Sequence, residues 1–368
     1  MAEESSGTPE RGSGTTRRGF FLAAGTAAGA AAVAGASGWL LRGVSGEGDA
    51  AAAPAPTASA SPLPTADHRA GVTYPAVPQR HLMLRVVDVA GVDSADLPAL
   101  VASAVDALGE VPADAGEVTV TVGYAPEHAL ALWPERAAAA SALPAFARDD
   151  PAMITGGDLA VQVCAETASG ARDASEAVIA ALGGRVLWEQ AGYRDAPTPH
   201  GTARTSTGFI DGIINPRTPE LLAAGVWADA ENHDTHLVVR RMYIDAAFTT
   251  RPVAEQEQAI GRSRATGAPL SGGGPDDEVD LFSKTADGRL LTPASAHARR
   301  AHPTNIGRAL MLRRSYSFDP PSGAGLVFIA YVADPQTFVL TQRRLDEMDD
   351  LLANTSTDAS GCFFVPGS

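Results

Sequence analysis

Lysine is almost absent from this chain of 368 residues: of its 28 basic side chains, Lys284 alone is not an arginine. Bases as a whole are in deficit, 28 against 43 acids, and the formal charge is −15. That balance excludes a nucleic-acid binder, which needs a basic surface, and disfavours docking on anionic lipid. Small molecules, cations and basic proteins remain as partners. Cysteine is scarce too. Cys164 and Cys362 are too few for a disulfide scaffold, show no metal-ligand spacing and sit in apolar runs that suit buried free thiols. CxxCH, HExxH and GxSxG do not occur, which removes covalent c-type haem attachment, the common zinc-protease site and the usual hydrolase elbow. Gly272-Gly273-Gly274 follows no strand in a phosphate-binding frame, so nucleotide binding has little support.

What is present begins with a leader. Arg17-Arg18 is followed by Phe20, Phe21 and an Ala/Gly-rich run to about Leu41. The run is long enough to suggest a membrane span, but Gly25, Gly29, Gly35 and Gly38 make it a poor helix and a mild hydrophobe. Residues 1–49 resemble a twin-arginine (Tat) export signal, with a retained anchor as the alternative. The resemblance implies transit through the Tat translocase to the cell envelope or beyond. Tat cargo is exported folded, often with a cofactor in place. Residues 50–76, rich in Ala, Pro, Ser and Thr, read as a flexible leader.

The rest reads as two α+β halves, residues 77–200 and 201–368. Runs 80–89, 117–124 and 158–165 have strand character, with helical spacing over 94–108 and 175–182. The order strand–helix–strand–strand–helix fits a ferredoxin-like, split βαβ unit with an antiparallel sheet. The second half repeats it: strands over 235–244, 309–318 and 325–332, and helices over 254–261 and 340–352. The two halves are expected to pack through their sheets, with the cofactor-sized space near their seam.

Three segments carry chemistry. In Gly208-Phe209-Ile210-Asp211-Gly212-Ile213-Ile214-Asn215-Pro216-Arg217 a single carboxylate stands among apolar side chains on a loop shaped by Gly and Asn-Pro. Asp211 is then either a turn residue or a proton shuttle whose pKa is set by its surroundings. The tract from Ala296 to Asn305 holds His297 and His302, the latter just before Pro303. The apolar run from Leu310 carries Arg313.

Together these segments resemble the dye-decolourising (DyP-type) haem peroxidase family. Gly208-Phe209-Ile210-Asp211-Gly212 matches its GxxDG motif, His297 its proximal haem ligand and Arg313 its distal arginine. Supporting matches are Gly156-Gly157-Asp158-Leu159, Ile260-Gly261-Arg262 with Thr266-Gly267-Ala268-Pro269-Leu270, and the ending Gly361-Cys362-Phe363-Phe364. The resemblance spans roughly 78–368, and the leader points to the exported subgroup. It implies one non-covalent haem b in the C-terminal half, His297 on the iron, and Asp211 with Arg313 assisting cleavage of hydrogen peroxide while an organic donor is oxidised. Gly212, Ile213, Ile214, His302, Pro303 and Thr304 are expected against the haem, with Leu326 and Phe328 as an apolar roof. His302 stands where many relatives have Asn and is the alternative ligand. Trp133, Trp188, Trp227 and Tyr243 are core residues or electron relays. Release of iron from haem, as in deferrochelatases, and haem carriage without turnover are the competing activities; a homo-oligomer stays open.

Overall fold

The computed structural model describes residues 69–108, 115–199, 201–321 and 323–367. The expected export signal and most of the leader lie outside them. Residues 69–76, expected to be flexible, are instead packed. Val72 is fully buried in the central core, and Arg69 Nη1 donates to the carbonyl oxygens of His233 (2.5 Å) and Val365 (3.3 Å). The Gly71 carbonyl accepts from Gln162 Nε2 at 3.1 Å, and Tyr74 donates to Glu117 at 3.0 Å, contacts set by the fold that the segment's composition does not mark.

In chain order the N-terminal part comprises β1 (His81–Asp88), α1 (Leu97–Asp106), β2 (Thr119–Tyr124), α2 (Pro126–Leu132), β3 (Asp149–Thr155), β4 (Leu159–Ala165), α3 (Ala168–Leu182) and β5 (Arg185–Tyr193). A small hairpin, β6 (Ala203–Arg204) with β7 (Ile210–Asp211), leads to α4 (Pro219–Gly225) and β8 (Thr235–Ile244). The C-terminal part continues with α5 (Ala246–Thr249), α6 (Val253–Ile260), α7 (His297–Arg300), β9 (Leu312–Arg313), β10 (Tyr316–Phe318), β11 (Ala324–Val332), α8 (Gln336–Glu347) and β12 (Thr355–Val365).

Ten strands form one sheet, antiparallel throughout except where β3 runs parallel to β12. The order is β10-β5-β1-β4-β2-β12-β8-β11, and β10 pairs with β11 as well as β5, so the path closes on itself. Two groups of four strands thus meet edge to edge. Each junction is short: Phe364 opposite Tyr124, and Ser317 opposite Tyr193. Closure satisfies backbone groups that two separate sheets would leave at open edges. Inside lies the central core, with Leu82, Leu84, Val86, Leu237, Val239, Val327, Ile329 and Tyr331 from both groups.

On the outer face of the first group, α1 and α3 pack directly on the strands. Thr167 caps α3 by accepting from Gly170 N–H, and Gly183 ends it at φ 66°. Ala174, Val178 and Leu182 form the buried stripe that meets Leu159, Val161 and Val163. On the second group the corresponding face is formed by Arg240, Met242 and Ile244 of β8 and by Leu326 and Phe328 of β11; there it lines a cavity. Among the described residues no helix is long and apolar enough to cross a membrane.

Candidate functional site

Hairpin β6–β7 sets the position of Asp211. Thr205 N–H donates to Phe209 O and Gly208 N–H to Thr205 O, making a tight turn. The Arg204 guanidinium ties the turn to the neighbouring loop through the carbonyls of Gly208 (2.7 Å), Arg264 (2.5 Å) and Ala265 (2.7 Å). Gly212 follows at φ 80°, a left-handed conformation that costs glycine little and lets its N–H turn back onto Asp211 Oδ1 at 2.7 Å.

Arg313 reaches the same carboxylate from β9, which is held on β11 by the pairing Arg313–Ala330. Its Nε stands 3.4 Å from Asp211 Oδ1, and its Nη1 donates to Ile214 O at 3.3 Å. Asn215 fastens the two segments: its amide donates to Arg313 O (2.8 Å) and accepts from Arg313 N–H (3.1 Å). Burial disfavours the charge on Asp211, but the charges of Arg313 and Arg194 and the Gly212 N–H outweigh it, so the carboxyl is held below its ordinary range. Asp211 Oδ1 carries all of these direct contacts.

His297 opens α7, which is clamped to the C-terminal part by Arg300. That guanidinium donates to Arg344 O (3.1 Å) and to Glu347 (2.6 Å). The His297 Nδ1 lies 3.0 Å from Asp349 Oδ2, whose carboxylate is fully buried and also accepts from Leu352 N–H at 2.7 Å. Burial lowers the imidazole pKa, yet the Asp349 charge and hydrogen bond reverse the balance and raise it. With Nδ1 taken, Nε2 is the ring nitrogen left for a metal. His302 differs: Thr304 N–H donates to its Nδ1 (3.3 Å), and its Nε2 lies 3.2 Å from Glu278.

These elements enclose one cavity, about 1480 Å³ of atom-free space including its open mouth. Asp211, Gly212, Ile213, Ile214, His297, His302, Pro303 and Arg313 all line it, as do Leu326 and Phe328. Thr304 does not. It belongs to a tight turn over Pro303–Asn305, its side chain is exposed, and its backbone serves His302. Trp188 and Trp227 are core residues, and Trp133 packs edge-on against Tyr124 at 5.2 Å. Sequence reasoning missed Asp349 and the cavity-facing Arg240, read Asn215 only as part of a turn signal, and quoted Arg262 as part of a motif without giving it a role. Arg262 is buried, bonds only the carbonyls of Gly267 and Asp277, and has no carboxylate partner among the described residues. The acid pair Asp349-Asp350 just before Leu351-Leu352 was the one available signal, since such acids accept from the next turn's N–H groups.

Residues 202–368 match the family model described as "Dyp-type peroxidase, C-terminal". The chain is 34% identical over 279 residues to a dye-decolorizing peroxidase of Thermobifida fusca, covering 68% of this chain and 64% of the relative. It is 31% identical over 222 residues to a deferrochelatase of Yersinia pestis, covering 52% of this chain but only 49% of that relative. The crystal structure of a DyP-type peroxidase from Cellulomonas bogoriensis superposes with a TM-score of 0.72 at 30% identity, over 83% of this chain and 94% of that one. The chain belongs to the DyP-type peroxidase family. It spans 64% and 49% of the length of these two relatives, less than two thirds of either.

Proposed function

We infer that the chain is a haem peroxidase: it holds non-covalent haem b through His297 and uses hydrogen peroxide to oxidise an organic donor. One observation carries this reading. An imidazole with a free Nε2 and an Asp–Arg pair face the same apolar-walled cavity. The donor set suits the group, since imidazole nitrogen is a common axial ligand of haem iron. Met242, Leu326 and Phe328 offer apolar walls to a flat macrocycle, and the unpaired Arg262 suits its carboxylates. Engagement of both ring nitrogens of His302 favours His297 as the ligand.

When bound, haem iron supplies the centre at which peroxide is held and reduced. The protein's part is proton and charge management. Asp211 Oδ2, which has no hydrogen-bond partner among the described residues, takes the proton from the nearer peroxide oxygen and returns it to the farther one. Arg313, permanently charged, stabilises the negative charge that builds as the O–O bond breaks. Asp349 accepts the Nδ1–H of His297, fixing its tautomer and making Nε2 a better donor. Over a full cycle, peroxide takes up two electrons from the donor and two protons, leaving two waters. A carrier has no need of this pair, which speaks against carriage alone.

Supporting the ferredoxin-like reading, both groups of strands share one order, fourth–first–third–second: β5-β1-β4-β2 and β12-β8-β11-β10. Export through the Tat pathway belongs to the same reading and rests on Arg17-Arg18 and the run behind them; fusion of residues 1–60 to a reporter that is active only outside the cytoplasm tests it. For the activity, the haem-loaded protein is mixed with one equivalent of peroxide. The visible spectrum should change and return when a phenolic donor is added. An unchanged spectrum overturns the peroxidase. Appearance of metal-free porphyrin fluorescence would instead favour iron release, the activity for which the Yersinia relative is named.

A further inference from the structure

A second cavity lies on the other side of the Asp211–Arg313 pair. Asp211, Gly212 and Arg313 line both spaces, so the pair forms the wall between them. The outer space, about 1260 Å³ with its mouth, is lined by four arginines, Arg194, Arg217, Arg313 and Arg314, against the single carboxylate of Asp211. The lining is therefore +3 in a chain whose formal charge is −15.

The arginines are graded in depth. Arg217 is exposed at the mouth, Arg194 is half-buried, and Arg314 is 4% exposed. Arg194 donates to Ser315 O (2.7 Å), Arg217 to Ile213 O (3.3 Å) and Arg314 to Pro75 O (3.0 Å). Among the described residues none of these three forms an ion pair, although guanidinium groups elsewhere in the protein pair readily with acids. Burying charge without a counter-charge is costly, and like charges around one space repel. Both costs fall when an anion enters. Val77 and Leu222 add apolar wall to the same lining.

We propose that this outer cavity is a binding site for a small aromatic carboxylate, its carboxylate held by Arg194, Arg217 and Arg314 and its ring against Val77 and Leu222. Resting on the peroxidase reading, the ligand is the anionic donor, drawn in against the overall charge and bound beside the wall that faces the peroxide. A carboxylate matches the planar fork of arginine, and a ring matches the apolar flank. In the donor role a phenolic carboxylate gives up one electron and its phenolic proton per step, so that two donor molecules supply the two electrons and two protons that turn one peroxide into two waters, with haem, when bound, as the redox centre.

Calorimetric titration of benzoate into the haem-loaded protein tests the site without turnover, with benzamide as the neutral probe. Benzoate should bind and benzamide should not. The Arg194→Gln/Arg217→Gln double variant should bind benzoate about tenfold or more weakly, the loss expected for charge-assisted contacts. Absent or unchanged benzoate binding overturns the site. The donor role is read separately, from 4-hydroxybenzoate against 4-hydroxybenzamide. The wild type should favour the acid through KM, and the double variant should lose that preference. Equal preference in both proteins, with benzoate binding intact, overturns the donor role but not the site. Failure to oxidise either compound counts against the peroxidase reading and the donor role, and leaves the calorimetry to judge the site.

Discussion

The two groups of four strands share an order, yet one is filled and the other is hollow. On the first, α1 and α3 press Leu97, Val101, Val178 and Leu182 onto Val87, Leu159, Val161 and Val163, leaving a solid layer. On the second, the equivalent face presents Arg240, Met242, Ile244, Leu326 and Phe328 to open space, and α7 and α8 wall that space from the far side. The same topology becomes a scaffold in one case and a binding site in the other. The difference lies in what covers each face: leucine and valine of α1 and α3 interlock with the first, whereas the second carries Arg240 and faces a space that Arg262, Glu278 and Val279 of the 261–296 loop also line.

The sharpest way to break this comparison is to remove the hollow side's ligand. His297→Ala should abolish haem retention, seen as loss of visible absorbance per chain after gel filtration. His302→Ala should keep it. The reverse outcome would exchange the two histidines in the assignment. Next in size, Asp211→Asn should slow the reaction of haem-loaded protein with peroxide by about 10²–10⁴-fold in stopped flow, the usual range for a positioned acid–base group. An unchanged rate would shift the proton to water and leave Arg313 as the principal group.

These residues were legible because motif chemistry is local. Asp211, His297 and Arg313 each stand in a distinctive short string, and the structure brings all three to one cavity. Strands β1, β2, β4, β8 and β11 were legible through β-branched runs. Strand β5 was missed: Arg185, Glu189 and Gln190 interrupt its apolar pattern because one face is exposed. The run over 309–318 was read as one strand but breaks into β9 and β10, since Arg314 and Ser315 turn to serve Pro75 and Arg194. Helix α8 begins at Gln336, four residues before the expected start, because the buried residues of its first turn include the polar Thr337, which masks the apolar spacing there. Asp349 could be read at most as a capping acid, because its partner His297 is 52 residues away and set by the packing of α7 on α8.

Smaller effects refine the contrast. Asp349→Asn should weaken haem affinity about 10–100-fold, the usual consequence of losing a metal ligand's hydrogen-bonding partner; competition with apomyoglobin reads this directly. An unaltered affinity would mean that α7 alone orients the imidazole. Packing should respond asymmetrically. Leu159→Ala, in the solid layer, should cost about 2–5 kcal/mol of unfolding free energy, whereas Leu326→Ala, which enlarges an existing space, should cost less. Equal costs in chemical denaturation of the haem-free protein would show that the second layer closes when empty.

The smallest expected effect is a shift of pH profile, and its sign follows from Asp211. Burial alone would lift this carboxyl above its ordinary pKa; Arg313 is the largest of the influences that lower it instead. A shuttle must begin ionised, so in the wild type the acid limb of the peroxide rate should lie below the ordinary aspartate range, about pH 3.9. Arg313→Gln removes the main opposing charge and leaves burial in place, so the limb should move toward higher pH, on top of a lower rate at every pH. Stability runs in the same direction. A carboxyl whose pKa is lower folded than unfolded stabilises the fold above its unfolded value and loses that contribution as pH falls through the folded one. The Arg313→Gln protein should therefore lose less stability on acidification than the wild type does. If the limb stays fixed while the rate falls, Arg313 acts on peroxide alone, and the carboxylate owes its ionisation to Arg194 and Gly212, which would tie the outer cavity more closely to the proton transfer.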